Sequence, residues 1–338
     1  MISAFALLLP DSKEFAPTMD KLISDSKFNP IYSSTFDSYY EEISNDKFIN
    51  LSLLVMHGNQ PIIGFLQNIE VNADVQSKIG YYGRSAALIS GIGFNVEIID
   101  GATQILENYI KNDIRNILFK SYEFFGEIRI NNPIIFQTTF VENLIRRFTK
   151  VETRFSRIVD LIQEEEEIIA DYSKSVKSAL SKKLSDSQKI EIVNKNSPRE
   201  LLESAFNSLK SLHLDSAGRL TRSLHSWNIQ KEFLINGNAF IVQLLSHGNV
   251  ISSAYFMITD YDCYYGVSAS APKTSGVSLS HLCISEGIAY SKKLGLQSFH
   301  LGEQYSYLSH NITDKESNIE KFKSFFGGSL FLEAILLK

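Results

Sequence analysis

Apolar and polar positions in the second half of the chain change period from helical to extended in a readable order. "KIEIVN" (189–194) predicts a short strand, and "SPRELLESAFNSLKSLH" (197–213) a helix with Ser197 as N-cap and Pro198 at its first position. "LTRSLHSWNIQKEFLIN" (220–236) predicts a second helix. Three strands follow with no room for helices between them, "AFIVQLLS" (239–246), "VISSAYFMITD" (250–260) and "CYYGVSAS" (263–270), which predicts an antiparallel meander. The helical pattern of "LSHLCISEGIAYSKKLG" (279–295) ends on lysines and a glycine, as a helix C-terminus prefers. Then come the strand "LQSFHLG" (296–302), the helix "DKESNIEKFKSFFGG" (314–328) and the strand "SLFLEAILL" (329–337).

The first half follows the same order. "AFALLLP" (4–10) reads as a strand, "SKEFAPTMDKLISDS" (12–26) as a helix, and "FINLSLLVM" (48–56), "PIIGFLQNIEV" (61–71) and "IGYYGRSAAL" (79–88) as the meander. "GATQILENYIKND" (101–113) and "IRNILFKSYEF" (114–124) supply the next helix and strand. Two phrases recur: "LLVMHGNQPIIGF" (53–65) matches "QLLSHGNVISSAY" (243–255), and "YYGRSAA" (81–87) matches "YYGVSAS" (264–270). His57 and His247 are 190 residues apart and Tyr81 and Tyr264 are 183 apart, so the first copy carries seven extra residues between hairpin and tyrosines. The expected organisation is a degenerate N-terminal domain over 1–150, a connector over 151–190 and a C-terminal domain over 191–338. Within the connector, "IVDLIQEEEEIIADYSKSVKSALSKKL" (158–184) reads as a solvated helix with dipole-matched ends.

Composition places the chain among ordinary globular proteins: 338 residues, 44% hydrophobic and 21% charged, a length that suits two cores. A net charge of −5 gives no global field toward nucleic acid, and stable DNA binding is not expected. Cys263 and Cys283 lie in apolar surroundings, where buried free thiols are expected, and metal-ligand spacing is absent. No apolar run is long enough to cross a bilayer, so the expected location is the cytoplasm.

The strand order, the closing "KFKSFFGG", the connector segment 159–183 and "HLDSAGRLTRSLHSW" (213–227) together resemble the FemAB-like family of tandem GNAT-fold acyl and aminoacyltransferases. The resemblance implies an α/β fold of two tandem GNAT-like domains, each a mixed central sheet flanked by helices. It implies an enzyme that moves an acyl group from an activated carrier to an amine, such as that of an amino sugar or a surface-glycan or cell-wall precursor. Acyl-coenzyme A is the expected co-substrate and aminoacyl-tRNA the alternative, with the lysines of 174–183 as part of a tRNA surface. A duplicated binding scaffold without catalysis is the reading from another class. In GNAT-like sheets two central strands splay and the carrier slots between them, which directs attention to the ends of "YYGVSAS" and "FHLGEQY".

Amine acylation needs a proton acceptor and donors facing the oxyanion. Glu303, at a strand end, and His281, in a first helical turn, are the candidate bases, and Tyr265 a candidate acid or donor. The loop "PKTSGVSLSH" (272–281) departs from the family's pyrophosphate loop, leaving Gly276, Ser278 and Ser280 to cradle phosphate, with Lys321 or Lys323 assisting. Spaced two apart on a helix, only one of these lysines is expected to reach the site. Arg219, Arg222, Ser226 and Trp227, unique to the second copy, are candidates for gripping and stacking an anionic or sugar acceptor, against the alternative of an amphipathic helix with Trp227 in the core. The N-terminal copy is expected to complete the site.

Overall fold

The structure is a computed structural model and describes residues 5–44, 47–71, 78–82, 84–112, 127–131, 133–146, 148–182, 184–219, 221–271, 279–305 and 312–337. Its first strands are β1 (Phe5–Leu8), β2 (Lys47–Asn50), β3 (Leu53–His57), β4 (Gln60–Leu66), β5 (Asn68–Val71), β6 (Lys78–Gly80), β7 (Ala86–Ser90) and β8 (Glu127–Ile130). The later ones are β9 (Lys150–Asp160), β10 (Gln188–Val193), β11 (Ala239–Ser246), β12 (Asn249–Ile258), β13 (Asp262–Ser270), β14 (Ser298–Tyr305) and β15 (Ser329–Leu337). The chain divides into two compact units, one of Met1–Ser156, Glu303–Asn311 and Phe331–Lys338, the other of Arg157–Gly302 and Ile312–Leu330.

In the first unit the strand order is β1-β3-β4-β7-β8-β15, antiparallel throughout except for the parallel pair β7–β8. Both faces are covered, so the consecutive residues Leu53–Met56 of β3 and Ala86–Ile89 of β7 are all apolar. Leu53, Val55, Ala86 and Leu88 pack with Ile99, Ala102 and Leu106 of the helix Val96–Asn112. Leu54, Met56, Ala87 and Ile89 pack with Met19, Leu22 and Ile23 of the helix Phe15–Asp25.

In the second unit the order is β10-β11-β12-β13-β14, with β9 beyond β14. Again every contact from β10 to β13 is antiparallel and β13–β14 is parallel. Phe240, Val242, Ala254, Phe256 and Cys263 share one cluster with Cys283, Ile284 and Ile288 of the helix Leu279–Lys293. Elsewhere Trp227 and Tyr255 meet Phe206, with ring centroids at 5.7 and 6.2 Å. The two free thiols are buried, and burial pushes that of Cys283 up to about 11.

Several expectations need correction. The three first-copy meander strands are each broken: β2, β5 and β6 form a separate three-stranded sheet, while β3, β4 and β7 belong to the main one. The break is satisfied locally, since Ser52 Oγ accepts from Gln67 N at 3.1 Å and Gln67 Nε2 donates to Leu51 O at 3.1 Å. Residues 72–77, which follow β5, lie outside the described residues, as does the whole of the strand expected at 114–124. Tyr81 sits in a turn bridged to Arg84, whereas Tyr264 is inside β13, so the tyrosine phrases do not mark equivalent positions. The hairpins do: Ile63 pairs with Ser90 and Ser253 with Ala269, at the same spacing that relates His57 to His247.

The solvated connector helix is instead the strand β9 followed by two short helices, Glu165–Ala170 and Lys174–Ser181, whose Ile168, Val176 and Ala179 are buried. Its acidic run caps the first of these, Glu164 and Glu167 forming a reciprocal box. Ser197 is not an N-cap; its hydroxyl accepts from Asn194 N at 3.2 Å and Pro198 takes the cap position of Arg199–Ala217. The next helix begins only at Leu224, capped by Ser223.

Gly328 has φ +76°, and a Cβ there would lie 2.5 Å from the Ile158 carbonyl oxygen. Gly328→Ala therefore meets both left-handed backbone strain and a backbone clash, and is expected to lower stability by about 2–4 kcal/mol, read as a lower urea midpoint at unchanged slope.

Candidate active site

The parallel contact between β13 and β14 is short. It holds Asp262 to Ser298, Cys263 to Phe299 and Tyr264 to His300, after which, among the described residues, the two strands no longer pair with each other. A bulge in β13 accompanies the separation: Tyr255 pairs with Val267 and Phe256 with Tyr265, leaving Gly266 without a partner in the ladder. Arg222 takes up what the ladder leaves, donating from Nη2 to the Gly266 carbonyl at 3.2 Å and from Nη1 to Gln230 Oε1 at 3.3 Å. Its guanidinium also lies 5.4 Å from the Trp227 ring. Because the helix starts late, Arg222 sits in the preceding turn, and this position lets it reach the strand.

Two polar groups converge just past the point of separation. Gly302 has φ +93°, and a Cβ there would lie 3.0 Å from Lys323 Nζ and 3.7 Å from the Tyr264 hydroxyl. Lys323 thus reaches the strand end while Lys321 is exposed on the same helix, Asp314–Ser324. Along β14, Phe299 and Leu301 enter the apolar cluster, so strand alternation puts His300 and Gly302 on the opposite face. His300 is 1% exposed, and its Nε2 lies 3.7 Å from Asp262 Oδ1.

The first unit treats the corresponding place differently. Its parallel pair joins Ala86 to Ile128, Ala87 to Arg129 and Leu88 to Ile130. One step further, Asn131 Oδ1 accepts from Ser90 N at 2.9 Å and Asn131 Nδ2 donates to Ser90 O at 3.3 Å, so a buried side chain holds the strand ends together. Ser90 is the counterpart of Ala269 by hairpin register.

The remaining candidates fall in varied surroundings. Glu303 is ion-paired with Arg129 and, at 3.2 Å, with Arg154. Burial alone would raise its carboxyl, and the two guanidiniums outweigh that and hold it below the usual range. His281 is buried among the rings of Phe322, Phe325 and Phe326 at 5.5, 5.8 and 5.7 Å. The Tyr265 hydroxyl lies 2.5 Å from Ser268 Oγ, and burial pushes its phenol up. Ser280 Oγ lies 2.9 Å from Ser270 Oγ, which is 2.8 Å from Ser252 Oγ, a hydroxyl chain joining two strands to a helix start. Gly276 and Ser278 lie outside the described residues. Arg219 is exposed; Ser226 is buried in the first turn, its N–H donating to the Ser223 cap. Trp227 is 1% exposed and presents its ring to Phe206 and His213 rather than to solvent.

Reading the sequence missed Tyr264 as the tyrosine at the opening, and missed Asp262, His300 and Asn131. The alternation of "FHLGEQY" carried a signal for one of them, since an imidazole and a glycine on one face between two core residues is not a packing pattern. A second polar cluster was also missed. Arg84 sits 5.1, 4.1 and 4.8 Å from the rings of Tyr32, Tyr40 and Tyr81 and binds Asp37 at 3.0 Å.

No family model and no curated protein matches the chain. Solved structures do. FemX is 10% identical over 98% of this chain and 97% of its own, with a TM-score of 0.65. The C-terminal domain of a putative lysylphosphatidylglycerol synthetase from Agrobacterium fabrum is 11% identical over 88% and 86%, TM-score 0.53. L-PGS from Bacillus licheniformis is 11% identical over 98% and 92%, TM-score 0.50. The chain therefore has the FemAB-like fold, a mixed α/β architecture of two GNAT-like domains. Among the described residues, no helix is long and apolar enough to cross a membrane.

Burial raises the Asp37 carboxyl from 3.8 to about 6 in spite of Arg84 and the 2.7 Å hydrogen bond from Tyr81. With the folded value above the unfolded one, the native state holds this proton more tightly, so its contribution to stability is full below about pH 4 and is lost as pH rises through about 6. Asp37→Asn is expected to flatten that part of the stability profile, measured as urea midpoints between pH 4 and 7.

Proposed function

We propose that this chain is an acyltransferase of FemAB type that moves an aminoacyl or acyl group from an activated carrier to the amine of a sugar or cell-envelope precursor, with the carrier seated where β13 and β14 part. The observation that carries this reading is the short parallel contact, three residue pairs followed by separation, with Lys323 and Tyr264 meeting at Gly302 beyond it.

The chemistry follows from those groups. The amine nitrogen attacks the carrier-borne carbonyl, and negative charge develops on the carbonyl oxygen. The Lys323 ammonium is the preorganised charge for that oxygen, where it acts in a partly desolvated site without reorganising. The C–N bond forms, the bond from the carbonyl carbon to the carrier atom breaks, and the proton that the nitrogen sheds ends on the departing atom. Tyr264 is the hydroxyl at hand for it. No covalent enzyme intermediate is needed, because Cys263 and Cys283 are buried thiols held protonated by that burial.

Aminoacyl-tRNA is the donor we favour: "PKTSGVSLSH" lacks the family's pyrophosphate loop, and the name of two neighbours, lysylphosphatidylglycerol synthetase and L-PGS, denotes attachment of an aminoacyl group. Acyl-coenzyme A is the second reading, favoured by the helix Leu279–Lys293 starting at the opening with the Ser280 hydroxyl in its first turn.

Lys323→Ala is expected to lower kcat by about 10²–10³ with little change in KM, and Lys321→Ala to leave both unchanged. Salt-dependent binding of aminoacyl-tRNA at low ionic strength and a thermal shift with acetyl-coenzyme A distinguish the donors. Binding of neither removes the proposal.

A further inference from the structure

The connector helices Glu165–Ala170 and Lys174–Ser181 and the helix Leu279–Lys293 leave a groove of about 110 Å³ between them. Ile168, Tyr172 and Ile288 line it as buried residues, while Ile169 and Leu180 line it at 38% and 39% exposure. The volume decides between two kinds of occupant. Sites that enclose a small ligand run to about 300–1,000 Å³, and a cavity of about 150 Å³ takes a single benzene ring. This groove holds one side chain, so whatever brings that side chain must lie across the rim. The rim is apolar beyond the groove as well. Ile162, 68% exposed, sits in the turn whose Leu161 and Gln163 carbonyls accept from Nζ of the groove residue Lys292, at 3.0 and 2.5 Å. Exposed apolar side chains gathered beside a cavity mark a docking surface.

The charges say what docks there. Glu165 and Glu286 line the groove, and among the described residues neither carboxylate is in an ion pair. The lysines close by are directed elsewhere: Lys292 holds the two carbonyls just named, and Lys177 donates to the Ala170 carbonyl at 2.6 Å. Lys174 and Lys182 stand at the two ends of their helix and do not line the groove. A partner that covers this surface must bring positive charge to the carboxylates, because a carboxylate taken from water without a counter-charge is strongly unfavourable. The lining residues all come from helices or the turn between two of them, so no free sheet edge is on offer to an extended strand. We infer that the groove docks a basic amphipathic helix of a partner protein. One large apolar side chain enters between Ile168, Leu180 and Ile288, and lysines or arginines three or four residues away on the same helix face meet Glu165 and Glu286. The groove takes the later turns of Leu279–Lys293, whereas the opening lies at its start, so this interaction goes beyond the acyltransferase reading and does not rest on it.

The probe is a synthetic peptide of about 15 residues, long enough to form a helix, with leucines recurring at i, i+3 and i+4 and lysine elsewhere. Its control has the same composition in an order that gives no apolar face. Fluorescence anisotropy is expected to show the unaltered protein binding the amphipathic peptide about tenfold more tightly than the control. Ile169→Ser/Leu180→Ser, which removes the apolar rim, and Glu165→Gln/Glu286→Gln, which keeps shape and removes charge, are each expected to weaken that binding about tenfold. The four altered side chains are exposed or half-buried, so urea midpoints are expected to stay in place. No binding of the amphipathic peptide, equal binding of the two peptides, or binding of either variant within about twofold of the unaltered protein overturns the inference. A sedimentation mass that doubles with concentration, and returns to that of one chain in Ile169→Ser/Leu180→Ser, identifies a second copy as the occupant and overturns it too.

Discussion

The separation of two parallel strands organises the second unit. A parallel pair that stops after three residues leaves backbone groups without a ladder, and buried N–H and C=O groups do not stay unpaired. The fold meets that demand with Gly266, displaced by a bulge, whose carbonyl is taken by Arg222. Arg222 in turn is fixed by Gln230 and lies near the buried Trp227 ring. The position of Trp227 in the core is therefore part of the site's support: it helps hold the arginine that occupies the strand's free carbonyl.

The first unit shows what the same plan does without the opening. It has the same hairpin and the same antiparallel-to-parallel strand order, yet Asn131 bridges to Ser90 through two hydrogen bonds at the position where β13 and β14 have already parted. A carboxamide is suited to the task, since it carries a donor and an acceptor and can pair with both the N–H and the C=O of one residue. One copy has kept a closed pair and the other an open one, so duplication of the fold did not duplicate the candidate site.

Much of the second unit was legible because its elements obey simple periods. "AFIVQLLS" and "SLFLEAILL" are strands over the stretches read from sequence, and the helix at 279 begins where its pattern does. The first unit was harder for a physical reason. Ser52 and Gln67 are polar positions that look tolerable inside a strand, and only the hydrogen bonds between them reveal that the strands break there and continue in another sheet. The repeated tyrosines misled because a turn and a strand can share a phrase: Tyr82 takes φ +49° in one context, and its counterpart in the phrase, Tyr265, is extended in the other. At the site, position along the chain pointed to Glu303, a carboxylate at a strand end. The two arginines that hold it charged come from far away in sequence, Arg129 and Arg154, and no local pattern announces them.

That distinction separates the residues that build the fold from those we propose for its chemistry. A carboxylate paired with two guanidiniums is stabilised in its charged form and is correspondingly reluctant to accept a proton, so Glu303 is better suited to anchoring than to general base catalysis. His281, enclosed by three phenylalanine rings, is likewise satisfied by packing. Lys323 and Tyr264 differ in kind, because each is placed by the separation itself: one reaches a glycine that must be a glycine, and one leans over it. Groups positioned by an irregularity of the sheet are the ones a regular fold would have no reason to keep.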